Sequence, residues 1–125
     1  MAFKALTPLS ESEAATAFSV THVPDPRGTS TPESLAAAGQ AFELSADGGS
    51  GVFVVRKDGH QLWIQAAAGA AADNLTDMGM ELFDEMARQA ECTEVAFQTA
   101  RPGLVKKANQ RGYVVAGWIM KKAVA

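Results

Sequence analysis

The dipeptide Asp58-Gly59 constrains this chain more than any other feature. It stands between two β-rich runs, 51–57 and 60–67. A two-residue hairpin turn needs positive φ at its centre, which Asp and Gly tolerate and β-branched residues do not. The two runs are therefore predicted to pair antiparallel. Gln40-Ala41-Phe42-Glu43-Leu44-Ser45 alternates and adds a strand before them, joined through the turn-forming cluster Asp47-Gly48-Gly49-Ser50-Gly51. The middle of the chain thus reads as an antiparallel meander.

On the amino-terminal side, residues 3–6 form a short strand closed by Thr7-Pro8. Ser10 followed by Glu13 is a capping box, so a helix starts there and runs toward Thr21 with Ala14, Ala17, Phe18 and Thr21 inward. Pro24, Pro26 and Gly28 cannot continue it. Thr31 reads as a second N-cap with Pro32 at the first helical position and Gly39 just past the end of a short helix.

On the carboxyl-terminal side, residues 73–122 read as helix, strand, short basic helix, strand. Leu75, Met78, Gly79, Leu82, Phe83, Met86, Ala87 and Ala90 recur at three- and four-residue intervals, the pattern of one face packed on a sheet. The alanine-rich segment 66–72 is expected to be a loop before that helix, because Gly69 weakens a helix and Asp73 and Asn74 suit its N-cap. Strands follow at 93–99 and 114–120, with the basic helix 104–113 between them. The order β-α-α-β-β-β-α-β-α-β predicts an α/β fold of the α+β kind, a central mixed sheet flanked by helices. A right-handed crossover would make the fourth and fifth strands parallel.

Composition sets outer bounds. The 125 residues are expected to form a single domain, 1–125, with one core. No apolar run approaches the roughly 18 residues of a membrane helix, and no secretory signal follows the lone Lys4. A single cysteine, Cys92, forbids an internal disulfide and, with only His22 and His60 to help it, leaves no metal site, which fits a reducing cytoplasmic setting. Asp77, Glu81, Asp84, Glu85 and Glu91 make the long helix acidic, whereas Lys106, Lys107, Arg111, Lys121 and Lys122 make the last stretch basic. Two helix faces that complement each other explain this better than a nucleic-acid surface, since the net charge is −3.

Two stretches carry a family resemblance. Residues 86–99, from Met86 through Cys92-Thr93-Glu94-Val95 to Thr99, resemble the end of the third helix and the fifth strand of the GNAT N-acetyltransferase superfamily. Residues 107–115, with Gly112-Tyr113 at their centre, are similar to that family's closing helix-glycine-aromatic-strand junction. The resemblance implies acyl transfer from acetyl-CoA to an amine of a small molecule or protein. It also implies a Gln/Arg-x-x-Gly-x-Gly/Ala loop whose backbone N–H groups meet the pyrophosphate at a helix N-terminus.

Here the sequence departs from the pattern. The loop positions fall on Ala71-Ala72-Asp73-Asn74-Leu75-Thr76, without glycine or arginine, and Asp73 and Asp77 would repel a pyrophosphate. The nearest substitute donors are Gln65, Gly69 and Asn74, and Lys107 and Arg111 are candidates for a coenzyme A phosphate. The position of the family's proton-donating tyrosine is Ala108, while Tyr113 fills the aromatic position. Tyr113 and Glu43 are the candidate catalytic groups, although Tyr113 suits the core and Glu43 a strand's solvent side. His60 lies beyond the hairpin turn, away from the cleft; Cys92, Trp63 and Trp118 read as core or sheet-face residues.

Two functions therefore stand side by side. One is a divergent acyl-CoA-dependent N-acyltransferase with an eroded cofactor loop. The other is an inactive GNAT-like binding or structural module. Short GNAT-like proteins with eroded motifs also occur in tailed-phage genomes, so a phage-encoded assembly component in the host cytoplasm is one form of the second reading. The final strand, with Val115, Trp118 and Ile119, would also suit pairing with a protein partner or a second copy.

Overall fold

A computed structural model of the chain describes residues 3–20, 30–46, 49–70, 75–99 and 101–124. Its elements are β1 (Phe3–Leu9), α1 (Glu11–Val20), α2 (Pro32–Ala36), β2 (Gln40–Ala46), β3 (Gly49–Asp58), β4 (Gln61–Ala70), α3 (Leu75–Gln89), β5 (Glu94–Phe97) and α4 (Pro102–Gln110). The strands form one sheet in the order β1-β2-β3-β4-β5. The first three pairings are antiparallel and β4–β5, the two strands on either side of α3, is parallel, as the sequence predicts.

Local chemistry sets most boundaries. The Ser10 backbone N–H donates to Glu13 Oε1 at 3.0 Å and the Glu13 N–H to Ser10 Oγ at 3.2 Å, a complete capping box at the start of α1. Thr31 and Ser34 make the same reciprocal pair at the start of α2. The hairpin turns at Asp58-Gly59 with Gly59 at φ 59°. Thr21, one of the inward positions expected of α1, and Asp73 and Asn74 lie outside the described residues.

Helices cover both faces of the sheet. Ala14 and Phe18 of α1 and Leu35 and Ala36 of α2 pack with Ala41, Val54 and Ala66 on one face. On the other, α3 brings Leu82, Phe83, Met86 and Ala87 onto Leu44, Phe53, Val55, Leu62 and Ile64. Cys92 is buried in this second layer, as a small hydrophobe. Met80, outside the predicted apolar face of α3, is also buried.

Four expectations change. β1 runs on through Pro8 to Leu9, which a proline permits because β1 is an edge strand with one side unpaired. Ala68, Gly69 and Ala70 belong to β4 rather than to a loop: they pair with Val52, Gly51 and Ser50, and that ladder outweighs local propensity. Gly39 is a close-approach residue, not a helix-terminating one; a Cβ there would collide with the Val55 carbonyl oxygen. Residues 114–120, expected as a final strand, join no ladder, and Trp118, expected on a sheet face, is 87% exposed.

Candidate cleft between β4 and β5

The fold opens where its parallel strands part. β4 and β5 pair at Gln61–Glu94, Leu62–Val95, Trp63–Ala96 and Ile64–Phe97. Beyond that last pair β5 has ended, whereas β4 continues to Ala70 with only β3 beside it among the described residues. The other edge of β4 from Gln65 onward therefore carries backbone donors and acceptors that no described strand meets.

A bulge lies at the point of divergence. Val54 pairs with Ala66 and Val55 with Ile64, so Gln65 is the extra residue on β4. Its side-chain Oε1 accepts from Arg56 Nη1 at 2.7 Å and from Trp63 Nε1 at 2.8 Å, which ties the bulge to β3 and to the preceding residues of β4. The extra residue also inverts the alternation. Ile64 faces α3, Ala66 faces α1 and α2, and Ala67 shares the α3 face with its partner Phe53. Phe53 is buried but Ala67 is exposed, so the α3 layer leaves the sheet uncovered beside the bulge. The small side chain of Ala67 leaves that floor open for close approach.

The predicted site residues sort into three places. Gln65 and Gly69 lie on the free stretch of β4, along the cleft. Glu43 is two strands away but in line with it, through the cross-strand row Thr7, Glu43, Val52 and Ala68. It is half-buried and makes no hydrogen bond or ion pair among the described residues. Two strand spacings put its backbone about 10 Å from Ala68. His60 is at the far end, where β4–β5 pairing begins, with Nε2 3.1 Å from Glu94 Oε1.

Arg111, Lys107 and Tyr113 are elsewhere. Arg111 Nε stands 3.4 Å from Asp77 Oδ1 and its Nη1 3.6 Å from Glu81 Oε1, joining the basic end of α4 to the acidic face of α3. With Asp84 and Gln110, Arg111 and Asp77 line a shallow groove of about 600 Å³ between the two helices. Its acids disfavour a pyrophosphate. Lys107 is half-buried on α4 and Ala108 is buried.

Tyr113 closes α4. Gly112 takes φ 91°, the Tyr113 N–H donates to the Ala108 carbonyl at 3.0 Å and the Gly112 N–H to that of Asn109 at 3.2 Å, the paired bonds of a Schellman motif. The ring meets Phe97 edge-on, centroids 5.2 Å apart. Its hydroxyl is buried with no hydrogen-bond partner among the described residues, and burial, with the nearby Asp84 charge, pushes its pKa up to about 12. Such a group suits packing better than proton transfer. Among the described residues no cluster of His, Cys, Asp and Glu could hold a metal ion, and no helix is long and apolar enough to cross a membrane.

Sequence reasoning missed the bulge and the uncovered Ala67. The sequence reads as strands over 60–67 and 93–99, of nearly equal length, and periodicity carries no mark of an inserted residue or of the early end of β5.

As a whole, the mixed five-stranded sheet with its parallel β4–β5 pair and flanking helices is similar to the fold of GNAT acetyltransferases. An acetyltransferase from Trypanosoma brucei has a similar structure, with a TM-score of 0.60 at 14% identity over 96% of this chain and 99% of that one. Glucosamine-6-phosphate N-acetyltransferase from Arabidopsis thaliana matches with a TM-score of 0.54 at 14% identity, each chain covered in full. A point mutant of a Thermus thermophilus protein matches at 0.56, again at 14% identity and with 98% of each chain covered. No protein-family model and no curated protein matches the chain. The chain has a GNAT-like fold, in a highly divergent sequence.

Proposed function

We propose that the chain is an acyl-CoA-binding protein that uses the β4–β5 cleft for the acyl-pantetheine arm, and that it transfers the acyl group to an amine. The observation that carries this reading is the parting of β4 from β5 after the Ile64–Phe97 pair, beside the uncovered Ala67. An extended, amide-bearing arm suits a bare strand edge for the same reason that peptides add to sheets. Acetyl-CoA, when bound, supplies a thioester open to attack by an amine. Glu43, half-buried and free of partners among the described residues, would take the proton from an amine of a small molecule or a protein. Ala108 offers no general acid, so the thiolate leaves without that help, which costs about 10²–10⁴-fold in rate.

A second reading, a GNAT-like binding or structural module such as a phage assembly component, is favoured by Arg111. This cation is already engaged by Asp77 and Glu81 and is not free for a phosphate. Thermal shift with acetyl-CoA, followed by a thiol-release assay with a primary amine, separates the two. At a hundred times its Kd, acetyl-CoA should add about 2.7 kcal/mol of stability. Binding with thiol release supports the acyltransferase, and binding without it supports the module. No shift at millimolar acetyl-CoA overturns the cofactor reading.

A further inference from the structure

Glu43 belongs to the sheet face that α1 and α2 cover. Ala41 of β2 and Val54 of β3 pack beneath those helices, and Glu43 and Val52, each two residues along its strand, share their face. Thr7 lies directly across from Glu43 on β1, with Cβ atoms ~4.5–5.5 Å apart. One row further on, Ser45 pairs with Ser50 on the same face. Glu43, Ser45 and Ser50 are half-buried, and Glu43 meets no hydrogen-bond donor or cation among the described residues. A carboxylate partly withdrawn from water is costly without a donor to meet it.

The charge of the surrounding chain has one sign. From Ala5 to Val55 the sequence holds Glu11, Glu13, Asp25, Glu33, Glu43 and Asp47 against Arg27 alone. The elements α1, α2 and β2 contain no lysine or arginine. Arg56, on the same face of β3, is two rows from Glu43 beyond Val54, and it is already engaged by Asp58 and Gln65. An acidic ligand over Glu43 would meet repulsion and no counter-charge. An ammonium would meet a carboxylate and form a charge-assisted hydrogen bond.

We infer that the amine which accepts the acyl group is a small cation rich in further N–H or O–H donors and free of acidic groups, held by Glu43 with Thr7, Ser45 and Ser50. As an account of the acceptor, this rests on the acyltransferase reading above. An ionised carboxylate only accepts hydrogen bonds, and a hydroxyl can turn to accept, so the patch suits a ligand made of donors. The row Thr7, Glu43, Val52 and Ala68 leads from the patch to the free stretch of β4. Ala67 belongs to the opposite face, so a thioester beside it and an amine at Glu43 reach the sheet from different sides.

Titration of the full chain with spermidine, 2-deoxystreptamine, glucosamine and glucosamine 6-phosphate tests the inference, read by backbone amide spectra and then by thiol release with acetyl-CoA. Amide shifts are expected at Thr7, Glu43, Ser45 and Ser50, with affinity falling as salt is added. Glucosamine should bind at least tenfold more tightly than its 6-phosphate, and spermidine against 2-deoxystreptamine tells whether the donors come from a chain of amines or from a hydroxylated ring. Glu43→Gln should weaken binding at least tenfold with its thermal midpoint unchanged, whereas Glu85→Gln, on α3 and held by Arg88 and Gln89, should bind as the parent does. Equal binding of the phosphorylated sugar, full affinity in Glu43→Gln, shifts centred on Asp77 and Asp84, or no binding of any of these amines at millimolar concentration would each overturn it. Binding at Glu43 without thiol release would overturn the acyltransferase reading and leave the amine site standing.

Discussion

Ala67 stands opposite Phe53 in the β3–β4 ladder, on the face that α3 covers; Phe53 is 3% exposed, yet Ala67 is open to solvent. A residue on an inward face is left uncovered only where the covering layer stops short. Here that place coincides with the bulge at Gln65 and the end of β5 at Phe97.

Filling this gap should block the cleft without disturbing the core. Ala67→Trp is expected to weaken acetyl-CoA binding at least tenfold by calorimetry. Its effect on stability should stay within about 0.5 kcal/mol, as for exposed substitutions that touch no special feature. Unchanged affinity would move the binding site elsewhere.

Tyr113 offers a test of role and of pH dependence together. Its folded pKa, about 12, lies above the ordinary value of 10.0, so the folded chain holds this proton where the unfolded chain has lost it. The resulting stability is complete below pH 10 and is lost as pH rises through about 12. After allowance for solvent screening of a partly exposed ring it amounts to about 1 kcal/mol. Tyr113→Phe should remove that part of the alkaline fall in urea titrations. Near neutral pH it should be neutral or stabilising by up to about 1 kcal/mol, because the hydroxyl it deletes is buried without a partner among the described residues. Any acyl transfer should persist in this variant, and its loss would make Tyr113 catalytic.

Glu91 takes φ 59°, a left-handed conformation, at the end of α3, where the Cys92 N–H donates to the Ala87 carbonyl at 2.8 Å. That conformation strains a residue with a Cβ and not a glycine. Glu91→Gly should raise stability by about 1 kcal/mol, read as a higher urea midpoint with an unchanged slope.

At Gly39 the sign reverses. Even alanine would force β3 away from the turn after α2, since its Cβ would meet the Val55 carbonyl. Gly39→Ala should cost about 3 kcal/mol, at the upper end for overpacking, because the obstacle is backbone and cannot rotate aside. A loss below about 0.5 kcal/mol would show that this approach relaxes easily.

The fold was legible in the sequence wherever one short rule acted alone. Asp58-Gly59 turned the hairpin, Ser10-Glu13 and Thr31-Pro32 started helices, and the spacing from Met78 to Ala90 marked the face of α3. Rules that depend on a neighbour were not legible. Gly39 looked like a helix stop but answers to Val55, and Gly69 looked like a loop residue but answers to Gly51. At the site, Gln65 and Gly69, which the sequence offers as donors of a phosphate loop, belong to the free stretch of β4. Residues 114–120 have strand character, yet no strand among the described residues takes them up.

The most direct test of the cleft is a backbone amide spectrum recorded during titration with acetyl-CoA. The account predicts shifts concentrated at Gln65, Ala66, Ala67 and Phe97, with His60 and Glu94 at the paired end unmoved. Shifts confined to Lys106, Lys107 and the lysines after Met120, or none at millimolar acetyl-CoA, would contradict it.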